Sequence, residues 1–128
     1  MEEWLREQLL AAPGLAALVA NRIDWGVRPT GDPYPGVALH LISDVPEIIM
    51  SGFSGWHDAR VQADCWALSP GQSVLVGRQL VLAAQGIRQT VDGKKYRTFV
   101  IDANGHAEDD EGRIAHRTRV DLRVHYQA

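Results

Sequence analysis

From Arg113 to Tyr126 the chain alternates with a period of two. Ile114, His116, Thr118, Val120, Leu122, Val124 and Tyr126 fall on one side. Arg113, Ala115, Arg117, Arg119, Asp121, Arg123 and His125 fall on the other. A helix would scatter these residues around its axis, whereas a strand sorts them onto two faces, one apolar and one basic. A strand this long with one dry face needs neighbours to pair with and a second layer to cover it.

The rest of the chain supplies both. Glu2 to Ala12 reads as a helix, with Leu5, Leu9 and Ala12 on one face and Glu2 and Glu3 at its positive end. Pro13-Gly14 interrupts it, and Leu15 to Ala20 adds a turn or two with Leu15, Leu18 and Val19 inward. A turn region with Gly26, Pro29, Gly31, Pro33, Pro35 and Gly36 follows a short strand at Ile23–Trp25. Val37 to Ser43 and Ala59 to Leu68 read as strands, the second with Val61, Ala63, Cys65 and Ala67 as its apolar face. Asp44 to Asp58 is long for a hairpin loop. Ser69-Pro70 starts a helix as N-cap and first residue, which buries Val74, Leu80, Val81 and Ala84 and stops at Gly86. Asp92-Gly93 marks a hairpin turn. Tyr96 to Ala103 returns as a strand with Tyr96, Thr98, Val100 and Asp102 on one face, and Asn104 to Gly112 reads as an acidic loop. The order predicts an α+β fold, a mostly antiparallel mixed sheet with two helices packed on one face, in one domain over residues 1–128.

Composition narrows the function classes. A net charge of −3 argues against a general nucleic-acid binder. Residues 1–64 hold four Arg and Lys against nine Asp and Glu, and residues 65–128 hold nine against seven, so charge is mildly polarised along the chain. The lone cysteine, Cys65, excludes an internal disulfide and suits a reducing compartment. The acidic start, Met1-Glu2-Glu3-Trp4, does not read as a secretory signal, and no apolar run approaches a bilayer span.

Chemistry-bearing motifs are absent from the pattern. His40, His57, His106, His116 and His125 form no helical i, i+4 pair, and one cysteine makes no zinc set. His116, on an apolar strand face, reads as a hydrogen-bonded core or interface residue. Asp64, Asp102 and Asp121 lie on strands without a following lysine at nuclease-like spacing, and cross-strand ion pairing explains them better. Gly26, Gly31 and Gly36 lack phosphate-loop spacing, and no nucleophile-elbow pentapeptide surrounds a serine. No catalytic, cofactor-binding or metal residue is assigned; the chain reads as a non-enzyme without cofactor.

Three stretches carry a family resemblance. The first is Leu5-Arg6-Glu7-Gln8-Leu9-Leu10 with Pro13-Gly14-Leu15-Ala16-Ala17-Leu18-Val19 and Arg22-Ile23. The second is Val37–Ser43 followed by Arg60-Val61-Gln62-Ala63-Asp64-Cys65-Trp66-Ala67 and the helix behind it. The third is Arg119-Val120-Asp121-Leu122-Arg123-Val124-His125-Tyr126. In order and spacing they resemble the tail terminator, or tail completion, proteins of long-tailed phages, prophages and gene-transfer-agent-like particles. The resemblance implies a structural virion protein of the tail and neck, assembled in the bacterial host cytoplasm without a membrane. It implies a homohexameric ring that caps the tail tube, ends its polymerisation and joins the head connector, with DNA passing the lumen without sequence-specific binding. The implied partners are further copies of itself, the tail-tube protein and the head–tail connector protein. The alternatives are another neck component, such as a head-completion protein, or a small α+β enzyme or ligand-binding domain.

Three surfaces are candidates for contact. Ile48, Ile49, Met50, Phe53 and Trp56 lie in the Asp44–Asp58 stretch without a clean period, and exposed apolar side chains there call for a partner. The other reading is an extended hairpin folding back on its own core. Arg113, Arg117, Arg119 and Arg123 form either a solvated strand face that protects a sheet edge or a subunit or tube contact. Glu108, Asp109, Asp110 and Glu111 make a solvated loop, or in a ring a lumen lining or inter-subunit contact. Leu122→Asp is predicted to unfold the subunit by burying an uncompensated charge at a cost of several kcal/mol, read by circular dichroism. Arg117→Ala on the basic face is expected to change stability by no more than about half a kcal/mol.

Overall fold

The computed structural model describes residues 1–26, 33–110 and 113–127, with the backbone alone for 53, 106–110, 113 and 114. Three helices lie against one face of a six-stranded sheet. The elements run α1 (Glu2–Leu10), α2 (Pro13–Val19), β1 (Ile23–Trp25), β2 (Gly36–Ile49), β3 (Gly52–Ala67), α3 (Pro70–Ala84), β4 (Arg88–Val91), β5 (Lys94–Asp110) and β6 (Arg113–Gln127). Across the sheet the order is β1-β2-β3-β6-β5-β4. Only β1, parallel to β2, breaks the antiparallel pattern.

The sequence-based fold class and element order hold, with Pro13 separating α1 from α2 as its first-turn residue. The strands are longer than the alternation suggests. β2 and β3 continue through the whole Asp44–Asp58 stretch and turn only at Met50-Ser51, so that stretch is a hairpin arm rather than a loop. Asn104 to Asp110 is likewise strand, paired from Asn104↔Arg119 to Asp110↔Arg113. Gly, Asp, Glu and Pro are poor strand formers taken alone, and cross-strand pairing overrides that preference here. Glu111 and Gly112, and residues 27–32 of the Gly/Pro-rich turn region, lie outside the described residues.

The central β3–β6 pair sets the faces. Ala59↔Val124, Val61↔Leu122, Ala63↔Val120 and Cys65↔Thr118 pair in register and are buried under the helices. Burial pushes the Cys65 thiol up, well above the ordinary thiol range. Leu5 and Leu9 of α1, Leu15 and Val19 of α2, and Val76, Leu80 and Ala84 of α3 close the core from above, with Trp4 beside them.

Ser69 caps α3, its side chain accepting from the Gln72 N–H at 3.2 Å. The helix is rotated from the predicted orientation. Leu80 and Ala84 are buried as expected, but Val74 is exposed and Val81 only half-buried, while Ser73, Val76 and Gly77 face the sheet. The reason is distance. A Cβ at Gly77 would stand 2.6 Å from Thr118 Cγ2, so the helix rests on β6 through its smallest residues. Close approach outranked hydrophobicity in choosing the stripe.

Bulges set the outer strands. β2 shifts register between Leu41 and Ser43 and again between Pro46 and Ile48, and β5 shifts between Val100 and Asp102. The β5 bulge separates Asp102, predicted on one face with Val100, from that residue and turns it to the helix-free side opposite Asp121. Gly77→Ala is expected to lower stability by about 1–2 kcal/mol despite alanine's better helix propensity, because the new methyl overpacks against Thr118. Thermal denaturation of Gly77→Ala with and without Thr118→Ser, which removes the opposing methyl, checks this; recovery in the double variant is the expected result.

Candidate assembly surfaces

Two arms leave the sheet at diagonally opposite corners. The last β3–β6 pair at one end is Trp56↔Gln127, and the β2–β3 hairpin continues past it through Ile48↔Phe53 and Ile49↔Gly52. At the other end the last β3–β6 pair is Ala67↔His116, and β5–β6 continues past it to Asp110↔Arg113.

The β2–β3 finger carries the first predicted surface. Ile48 is 68% exposed, Ile49 47% and Met50 fully, so these residues do not fold back on the core. Trp56 differs: it stacks on His125 at 4.4 Å, with the Arg97 guanidinium 5.3 Å from its ring centroid, and so belongs to the finger's root. For Phe53 only the backbone is described. An aromatic series braces that root. Trp4 of α1 stacks on Tyr96, Tyr96 on Tyr126, and Tyr126 on His57. The Tyr126 hydroxyl donates to Asp44, which also holds His57 at 3.0 Å. Burial raises the Tyr126 phenol well above the ordinary tyrosine value, and the Asp44 carboxylate pushes the same way. The finger is therefore a stiffened projection with an apolar end.

The basic strand face proves to be a polar layer rather than a row of solvated arginines. Asp64 is buried there, with His40 Nε2 at 3.3 Å, Arg117 Nη1 at 3.7 Å and the Gln62 amide donating at 3.0 Å. Arg117 also lies over Trp66, 5.5 Å from its ring centroid. Arg119 faces Asp121 at 3.6 Å. Arg123 forms a bidentate pair with Asp58 through two 2.7 Å hydrogen bonds, which hold the Asp58 carboxyl below its usual range. Asp102 and Asp121 stand opposite each other across the β5–β6 ladder, but Asp64 does not join them: it is enclosed by its partners, while Asp102 accepts from the Ala103 N–H and the Asn104 amide. His40, His57 and His125 each lie beside a different carboxylate, Asp64, Asp44 and Glu47. Among the described residues no three His, Cys, Asp or Glu side chains gather as a metal set. The acidic run Glu108–Asp110 sits at the end of the second arm as paired backbone, and Arg113 is described only as backbone opposite Asp110.

Sequence reasoning missed one surface. Turning Gly77 to the sheet leaves Val74, Leu75 and Leu82 of α3 exposed, Leu82 by 73%. Between α3 and the far half of β5 a groove opens, lined by Val74, Gly77, Val81, Leu82, Ala103 and Thr118, with Arg78 at its edge. The available signal was Gly77 itself, a helix-breaking residue in the middle of a strong helix.

The chain is thus a helix-backed sheet with two projecting arms and exposed apolar side chains at one tip. The family model for tail completion protein gp17 matches residues 3–127, and the chain belongs to that family; its role in the virion tail is structural. No curated protein sequence matches. Among solved structures, a chain of the "Virion of native gene transfer agent (GTA) particle" is similar in fold, with a TM-score of 0.74 at 17% identity over 97% of this chain and 92% of that one. Among the described residues no helix is long and apolar enough to cross a membrane.

The packing of Arg117 reverses the expectation for its removal. Arg117→Ala takes a charged partner from buried Asp64 and is expected to cost roughly 1–3 kcal/mol, well above the half kcal/mol of a solvated arginine. Urea denaturation midpoints of Arg117→Ala and the double variant Arg117→Ala/Asp64→Asn measure this, with the double variant recovering part of the loss.

Proposed function

We propose that residues 1–128 act as one tail-terminator domain. Copies assemble in the host cytoplasm into a homohexameric ring that caps the finished tail tube, stops its polymerisation and joins the tail to the head connector. The observation that carries this reading is the braced finger, whose Ile48, Ile49 and Met50 stand in solvent on a tail completion protein. Exposed apolar side chains at the end of a stiff projection have little use except in contact with another chain. The fold likeness to a chain of a gene transfer agent virion, over nearly all of both chains, supports the same reading. The net charge of −3, with acidic residues at the end of the second arm, suits a lumen through which DNA slides without being held.

The domain does this by shape and contact, without catalysis. On the basic face Asp58 and Asp64 pair with Arg123 and Arg117 across the β3–β6 ladder and Asp121 pairs with Arg119 along β6, so that face is largely neutralised from within. A head-completion role would use the same architecture at a different level of the neck, and labelling the subunit in intact particles separates the two. Ile48→Ser/Ile49→Ser is expected to leave a folded, soluble subunit, with stability changed by no more than about half a kcal/mol, that no longer caps tails. Complementing a terminator-deficient particle with this variant and measuring tail lengths by electron microscopy tests the reading. Uniform tails at full particle yield would remove the finger from the contact.

A further inference from the structure

We propose that the β2–β3 finger of one copy docks in the α3–β5 groove of the next copy, so that a single heterologous contact repeats around the assembly. The inference rests on the ring reading and names its joint.

Both halves of the contact are on this chain. The finger presents Val45, Ile48, Ile49 and Met50, exposed by 56%, 68%, 47% and 108%. The groove presents Val74 and Leu82 from α3, with Thr118 at its floor and Ala103 and Gly105 along β5. Small side chains on the β5 wall leave room for larger ones to enter. A copy cannot fill its own groove. The finger starts beyond Gln127 and the groove lies at Thr118, which places them roughly 30 Å apart along β6 at the rise of a strand. Two complementary patches at opposite corners of one molecule make a head-to-tail contact, the kind that closes into rings.

Charge agrees with the match. Glu47 adjoins the apolar tip, half-exposed, with its carboxylate 3.5 Å from His125. Arg78 stands exposed between Val74 and Leu82 on the groove's edge and has no carboxylate within 4 Å among the described residues. The finger of one copy thus brings an acid to Arg78 on the groove's rim.

The test is disulfide trapping in assembled particles carrying Met50→Cys and Leu82→Cys together. Native Cys65 is fully buried and its thiol is held protonated, so it does not compete. Oxidation is expected to produce a ladder of linked copies on a non-reducing gel, ending at the closed ring, whereas each single-cysteine variant stays monomeric. Normal tails without the ladder would overturn the proposal. So would dimers from Met50→Cys alone, or linkage of Met50→Cys to the tail-tube protein. Where the cysteine pair prevents assembly, a charge exchange decides. Glu47→Arg and Arg78→Glu are each expected to lower the yield of capped tails at least tenfold, and the double variant is expected to restore it. Failure of the exchange to restore capping overturns the joint. Absence of any ring of this subunit at the tail end, seen by electron microscopy of wild-type particles, overturns the ring reading instead.

Discussion

The register between β3 and β6 governs the molecule. Val61 opposite Leu122 and Ala63 opposite Val120 turn a row of apolar side chains toward the helices, and the intervening positions turn Gln62, Asp64, Asp121 and Arg119 to the other side. A slip of one residue would drive Asp64 and Arg119 under α3 and expose Leu122, so the alternation tolerates no neighbouring register. β2 and β5 then pair outward from this pair and inherit its faces until a bulge changes them.

The helix layer is fitted to that ladder rather than merely laid over it. Gly77 and Ser73 bring α3 down onto Thr118, which places Leu80 and Val76 in the core. The same rotation lifts Val74, Leu75 and Leu82 out of the subunit. Apolar surface left outside by a packing decision inside is what makes the helix side more than a cover. On the opposite side, Arg117 and Arg123 pair with Asp64 and Asp58 across strands and Arg119 with Asp121 along β6, giving a polar face whose charges largely balance.

The two arms turn this fold into a part of a larger object. Strands that outrun their neighbours expose backbone edges, and such edges invite unwanted pairing. On β2 the exposure is limited by Pro46, by two bulges and by the charges of Asp44 and Glu47. What remains available at the tip is side chain rather than open ladder. The aromatic series from Trp4 through Tyr96 and Tyr126 to His57 ties the finger's root to α1.

Sequence alone determined the parts that follow from strong local rules. Period-two alternation specified β6 and the inner face of β3, Ser69-Pro70 the start of α3, and Asp92-Gly93 the β4–β5 turn, where positive φ at both residues suits that pair. These patterns are legible because each residue's choice is made by its own backbone or its nearest neighbours. Family membership was legible too, since the pattern spans nearly the whole chain. Tertiary structure decided the rest. The arms were hidden because Asp44, Pro46, Gly105 and Asp109 become strand only when a partner strand lies beside them. The partial burial of Arg117 depended on where Asp64 and Trp66 stand across the ladder. The rotation of α3 depended on a methyl group forty-one residues away, at Thr118. Contacts between residues distant in the chain carry no local periodicity, and they created both the finger and the groove.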